Sequence, residues 1–81
     1  MKGENDVDIS YKIEKELGTI GNGSAPKMLC LVSWNNNPPK LDIRPWRNDP
    51  DRGRLPGKGI TLNDFEGRLL LSALKTYYGE G

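Results

Sequence analysis

Lys40-Leu41-Asp42-Ile43-Arg44-Pro45-Trp46 alternates in character along its length. Read as a strand, it sets Leu41, Ile43 and Pro45 on one side and Lys40, Asp42, Arg44 and Trp46 on the other, because successive strand side chains point to opposite faces. One face is then dry and the other carries cations beside an indole. Arg47 to Pro56 follows, with Arg47, Arg52 and Arg54 among turn signals at Asp49-Pro50 and Gly53, and reads as a ligand-contacting loop. Gly57 to Leu62 reads as a further short strand that brings in Lys58. Pro45 has no backbone donor, so its strand lies on an edge or loses its ladder there. Rings and cations along one sheet face suit single-stranded nucleic acid, since exposed bases stack on rings while Lys and Arg follow the phosphates.

Outward from this stretch, Asn35 to Pro39 is a turn by composition. It joins Lys40 to an apolar strand, Lys27 to Trp34, as an antiparallel hairpin. That strand has two apolar sides, Met28, Cys30, Val32 and Trp34 against Leu29, Leu31 and Ser33. Either both sides are buried, or one is buried and the other meets a partner. Gly18 to Pro26 is a long glycine-rich loop, either a finger beside the ligand or a plain surface loop. Before it, Ile9, Tyr11, Ile13 and Leu17 alternate with Ser10, Lys12, Glu14 and Glu16 as a strand with one dry face. Met1 to Asp8 is polar and acidic and reads as a flexible N-terminal arm, leaving 9–81 as one domain.

Asn63 is a good helix N-cap, and Glu66 completes the capping-box spacing. The helix is expected from Asp64 to about Tyr78. Phe65, Leu69, Leu70, Leu71, Ala73, Leu74, Tyr77 and Tyr78 cover roughly two thirds of its circumference at about 100° per residue. A helix on one small sheet needs a narrower stripe, so a second surface, the helix of another copy, is expected to bury the rest. A chain of 81 residues also sits near the size at which a lone core is marginal.

The net charge of +1 conceals an uneven distribution: −2 over residues 1–26, +4 over 27–58 and −1 over 59–81. The positive charge therefore lies on the central strands. With no histidine and a single cysteine, the usual metal-ligand sets and Ser-His or Cys-His arrangements are missing. The chain reads as a non-enzyme without cofactor or metal. Asp42, Asp49 and Asp51 lie among arginines, where salt bridging accounts for them better than a magnesium ion. One thiol fits a reducing, cytoplasmic setting, and no apolar run approaches the roughly 20 residues of a membrane span.

Several of these pieces together resemble the transcriptional coactivator family of positive cofactor four, especially its small bacterial relatives. They are Val32-Ser33-Trp34-Asn35, Pro39-Lys40, Asp42-Ile43-Arg44 with Trp46 close behind, and Gly57-Lys58-Gly59-Ile60-Thr61-Leu62 before one C-terminal helix. The match runs from Leu31 onward. It implies an α+β fold of four antiparallel strands and a helix, paired into a homodimer through the helices, with the sheets forming a groove for single-stranded DNA. Lys40, Arg44, Trp46 and Lys58 fall on the family's binding positions, and Trp34 on those of the bacterial relatives alone. Arg54 falls in the loop where the family places basic residues. Asn35-Asn36-Asn37-Pro38 departs from the aromatic and basic hairpin of the eukaryotic members. Their long Ser-rich tail has no counterpart here, so control by phosphorylation is not carried over.

The leading expectation is thus a homodimeric single-stranded DNA binder with little sequence preference, serving transcription or DNA maintenance. A protein-interaction module of the transcription machinery and a single-stranded RNA binder are the alternatives.

Overall fold

In the computed structural model, which describes residues 10–79, five strands precede one helix: β1 (Tyr11–Thr19), β2 (Lys27–Trp34), β3 (Lys40–Asp49), β4 (Gly53–Pro56), β5 (Ile60–Leu62) and α1 (Asp64–Tyr78). The Met1–Asp8 arm lies outside the described residues. The strands pair antiparallel in the order β1-β2-β3-β4, with β5 also on β3. This is an α+β fold with a four-stranded antiparallel path, an added fifth strand and a C-terminal helix. No helix of the described residues is long and apolar enough to cross a membrane.

β3 organises the sheet. Along one flank it pairs with β2, and along the other with β5 over Leu41–Ile43 and with β4 over Trp46–Asp49. Pro45 falls between those two partners, where the Gly57 N–H donates to its carbonyl at 2.8 Å. Its missing donor therefore lies where the ladder changes partner, and β3 is a central strand and not an edge. The stretch from Arg47 to Pro56, expected as a loop, is instead the end of β3, a tight turn and β4. Asp49 Oδ1 accepts the N–H groups of Asp51 (2.9 Å) and Arg52 (3.1 Å). Those bonds, the Asp51 one foremost, hold the Asp49 carboxyl below the usual carboxylate range. Gly53, at φ 80°, closes the turn in a left-handed conformation that suits glycine.

The sheet curls until its ends meet. The Tyr11 hydroxyl on β1 donates to the Arg54 carbonyl on β4 at 2.7 Å, and Arg54 pairs with Glu16. Inside the curl lie Met28, Cys30, Val32 and Trp46, with Tyr11, Ile13 and Trp34 packed against them. Burial pushes the Cys30 thiol up, so it stays protonated and behaves as a small apolar core residue. The curl inverts the expected facing of β3: Asp42 and Trp46, at 0 % and 3 % exposure, are its most buried residues, while Leu41, Ile43 and Pro45 are half-buried. β1 also departs from simple alternation. Bulges between Ile13 and Lys15 and between Glu16 and Gly18 shift its register, leaving Leu17 exposed and setting Glu16 opposite Cys30.

Of the expected strand from Gly57 to Leu62, only Ile60–Leu62 pairs as β5. Gly57-Lys58-Gly59 crosses closely over β3. A Cβ on Gly59 would lie 2.2 Å from the Ile43 carbonyl oxygen and from Arg44 Cβ, and neither belongs to a flexible side-chain end. Gly59→Ala is expected to cost at least the roughly 1 to 3 kcal/mol typical of overpacking, measured by urea denaturation. A change below about 0.5 kcal/mol would mean that the crossing is looser than this.

α1 begins as its sequence predicts. Asn63 Oδ1 accepts from the Glu66 N–H at 2.7 Å, and the Glu66 side chain accepts from the Asn63 N–H at 2.9 Å, a complete capping box. Asp64 and Glu66 lie at the positive end of the helix dipole and Lys75 at the negative end. Gly67 is the point of close approach to the sheet, since a Cβ there would come within 2.5 Å of Leu41 Cδ1. Beyond it the helix rides over the outer sheet face across an apolar cavity of about 240 Å³, lined among others by Leu29, Leu41, Ile43, Leu62, Leu70 and Leu74. None of its residues is buried, and Phe65 and Tyr77 stand 69 % and 79 % exposed.

Candidate nucleic-acid interface

Asp42 is the hub of the polar side of β3. Facing Cys30 on β2 and Thr61 on β5, its carboxylate accepts Arg44 Nε at 2.5 Å on Oδ1. Oδ2 accepts Arg44 Nη2 at 2.9 Å, Thr61 Oγ1 at 2.9 Å and Trp34 Nε1 at 3.2 Å. A buried carboxylate is tolerated because it is paired and fully hydrogen-bonded. The salt bridge expected of Asp42 is present, and its partner is one of the expected site residues.

Arg44 is consequently a fixed group. Besides its fork onto Asp42 it donates from Nη1 to the Gly57 carbonyl (3.2 Å) and from Nη2 to Thr61 Oγ1 (3.3 Å), and its side chain is only 15 % exposed. Its guanidinium carbon lies 4.6 Å from the Trp34 ring centroid, a cation–π distance. Its charge is met by Asp42 and its guanidinium packs on Trp34, so Arg44 is not the free cation its alternation suggested.

Trp46, expected as an open stacking ring, is the plug of the curl, because the β3–β4 hairpin carries it under Tyr11 and Trp34. Its Nε1 is buried with no partner among the described residues. Trp34 lies nearly parallel to it, at 15° and 6.4 Å between centroids, and Tyr11 tilts against both at 5.7 and 5.6 Å. Trp34 is the outer member of this cluster, half-buried, and borders an open depression of about 330 Å³ with Asn35, Arg44 and Thr61.

Lys40 and Lys58 are exposed. Lys40 stands on the same face as Asp42 and Arg44, opposite Val32, and Lys58 sits between the two glycines that cross Arg44 and Pro45. Arg54 is directed elsewhere: it pairs with Glu16, and its Nη2 lies 2.9 Å from the Met28 sulfur. It clasps the curl shut. The wider recess beside it, about 670 Å³, is lined by Glu14 and Glu16 together with Lys15, Arg52 and Arg54, so its charge is mixed. The structure therefore brings Trp34, Arg44 and Lys58 into one neighbourhood, with Lys40 further along the same face, places Arg54 apart from them beside Glu16 and buries Trp46. Asp42, Thr61 and Asn35 were not among the expected site residues. The spacing of Asp42 and Arg44 held the missing signal, since residues two apart on a strand are neighbours on one face.

Fold and face together define a small α+β domain with an aromatic and cationic sheet surface. No family model matches the chain. It is similar to an uncharacterized protein of Treponema pallidum (strain Nichols), at 40% identity over 62 residues that take in 73% of this chain and 68% of that protein. The chain belongs to the same family as that protein.

Proposed function

We propose that the protein is a cytoplasmic homodimer that binds single-stranded DNA with little sequence preference, as a cofactor of transcription or DNA maintenance in the manner of the positive cofactor four family. The observation that carries this reading is the half-buried Trp34 indole, held by Arg44 and Asp42 beside the exposed Lys40 and Lys58. A fixed ring offers a platform for a base without the entropy cost of ordering it, and exposed lysines supply charge to the phosphates. The homodimer is supported by the apolar side chains that α1 leaves exposed on a single chain, which exceed what monomers usually show. Those side chains also favour a second reading, a protein-interaction module of the transcription machinery. Single-stranded RNA offers the same bases, and contacts to its 2′-hydroxyl would distinguish it.

Stacking and charge separate by mutation. Trp34→Ala is expected to weaken single-strand binding by about 1 to 3 kcal/mol with little change in salt dependence. Lys58→Ala and Lys40→Ala are each expected to reduce the slope of log affinity against log salt by about 0.7. Fluorescence anisotropy of a labelled strand at several salt concentrations reads both quantities. Unchanged affinity and slope in all three variants would overturn the reading.

A further inference from the structure

The chain enters the fold beside the proposed site. The Asn35 N–H donates to the Ser10 carbonyl at 2.7 Å, and the Ser10 N–H donates to Asn35 Oδ1 at 3.1 Å. These two bonds tie the residue before β1 to the residue after Trp34, and Asn35 borders the same depression as Trp34, Arg44 and Thr61. The register sets Tyr11 opposite Trp34, with their ring centroids 5.7 Å apart. Residue 9 is therefore delivered to the rim of the depression, at the end of the sheet where Lys40 opens β3. The segment it closes, 1–9, carries three carboxylates, Glu4, Asp6 and Asp8, against one lysine, Lys2. The carboxylates occupy alternate positions, and alternate residues of an extended chain share a side about 6.7 Å apart. Extended, the segment would thus present a row of anions, as a single strand presents its phosphates. Nine residues span at most about 32 Å, and the path to be covered is short. Arg44 packs on Trp34 at 4.6 Å and donates to the Gly57 carbonyl at 3.2 Å, which places Lys58 one residue beyond a chain of direct contacts.

We propose that the acidic segment 1–9 lies over the Trp34 depression with its carboxylates toward the exposed Lys40 and Lys58, and there competes with single-stranded nucleic acid. Tethering gives it an effective concentration at this face on the order of millimolar, whatever the protein concentration. A short row of carboxylates then occupies the lysines at low ionic strength, and a polyanion long enough to meet both lysines displaces it. The inference rests on the single-strand reading and adds an internal competitor, which sets a threshold against short or weakly charged ligands.

The test compares the full chain with a full-length variant carrying Glu4→Gln, Asp6→Asn and Asp8→Asn, changes that lie outside the folded domain. The first readout needs no DNA. Trp46 is 3 % exposed, so quenching by acrylamide, a neutral molecule, reports mainly on Trp34. At low salt the variant is expected to be quenched more than the wild type, to the level that the wild type reaches once high salt has screened the contact. The second readout is affinity for a short oligothymidylate. The variant is expected to bind about fivefold tighter at low salt, what roughly two exposed ion pairs supply. Its slope of log affinity against log salt should also be steeper, because no lysine contact is already spent on the segment. Equal quenching of the two chains overturns the proposal even if affinity rises, since repulsion at a distance would raise affinity without shielding the ring. Raised quenching with equal affinity overturns the competition. If neither chain binds single strands, the function reading fails and the competition fails with it, whatever the quenching shows.

Discussion

Asp42→Ala is expected to cost about 3 to 5 kcal/mol, the usual consequence of removing one partner of a buried ion pair. A domain of this length holds only about 4 to 12 kcal/mol in total, so the variant should be partly or wholly unfolded at room temperature. The cause is specific: four donors, two from Arg44 and one each from Thr61 and Trp34, converge on this carboxylate, and its loss strands a guanidinium that is 15 % exposed. Replacing both partners, as in Asp42→Leu with Arg44→Met, should recover much of that stability, because no unpaired charge remains. The same double variant should lose binding, since Trp34 loses its Nε1 acceptor and its cation. Urea denaturation checks the first part. A single-variant loss under about 1 kcal/mol would contradict the central place given to Asp42.

Leu74→Lys carries the second large effect. In an isolated chain Leu74 is substantially exposed and only borders the cavity under α1, so the larger part of its effect comes from association. In a two-fold dimer through α1 the residue occurs twice in one interface. Two buried leucines contribute about 3 to 6 kcal/mol, so association should weaken by at least about a hundredfold. Sedimentation at micromolar concentration should then show monomer or aggregate in place of dimer, while a wild-type chain that sediments at 9.0 kDa would remove the dimer from the account.

The legible and illegible parts of this fold divide along a physical line. Local signals carried the helix: Asn63 and Glu66 announced the capping box, and the helix ends at Tyr78 as expected. The β2–β3 hairpin was equally local, announced by the turn composition of Asn35 to Pro39. What alternation cannot reveal is a curl. Trp46 and Asp42 are buried because β4 returns to β1, and the bond that closes it joins Tyr11 to Arg54, 43 residues away. The β1 bulges are similarly silent, since the sequence of Tyr11 to Leu17 alternates whether or not an extra residue is looped out. Arg47 to Pro56 misled for another reason: turn residues at Asp49, Pro50 and Gly53 mark the middle of a hairpin as readily as a loop.

The site followed the same division. Lys40 and Lys58 are exposed, and Trp34, which the sequence leaves between core and surface, is half-buried, while Arg44 and Trp46 lie one layer inward against its ring. Arg54 stays partly exposed but is paired with Glu16, which the β1 bulges set opposite Cys30. The cationic middle of the chain is therefore less available than its composition suggests, and the free charge near Trp34 rests on two lysines.

The most direct measurement titrates the full chain with equal lengths of single-stranded DNA, duplex DNA and single-stranded RNA, following tryptophan fluorescence at several salt concentrations. Tight, salt-dependent binding of single-stranded DNA that perturbs the emission of Trp34 is expected, with duplex bound far more weakly. Duplex bound as tightly as single strands, or no binding of DNA at all, would contradict it.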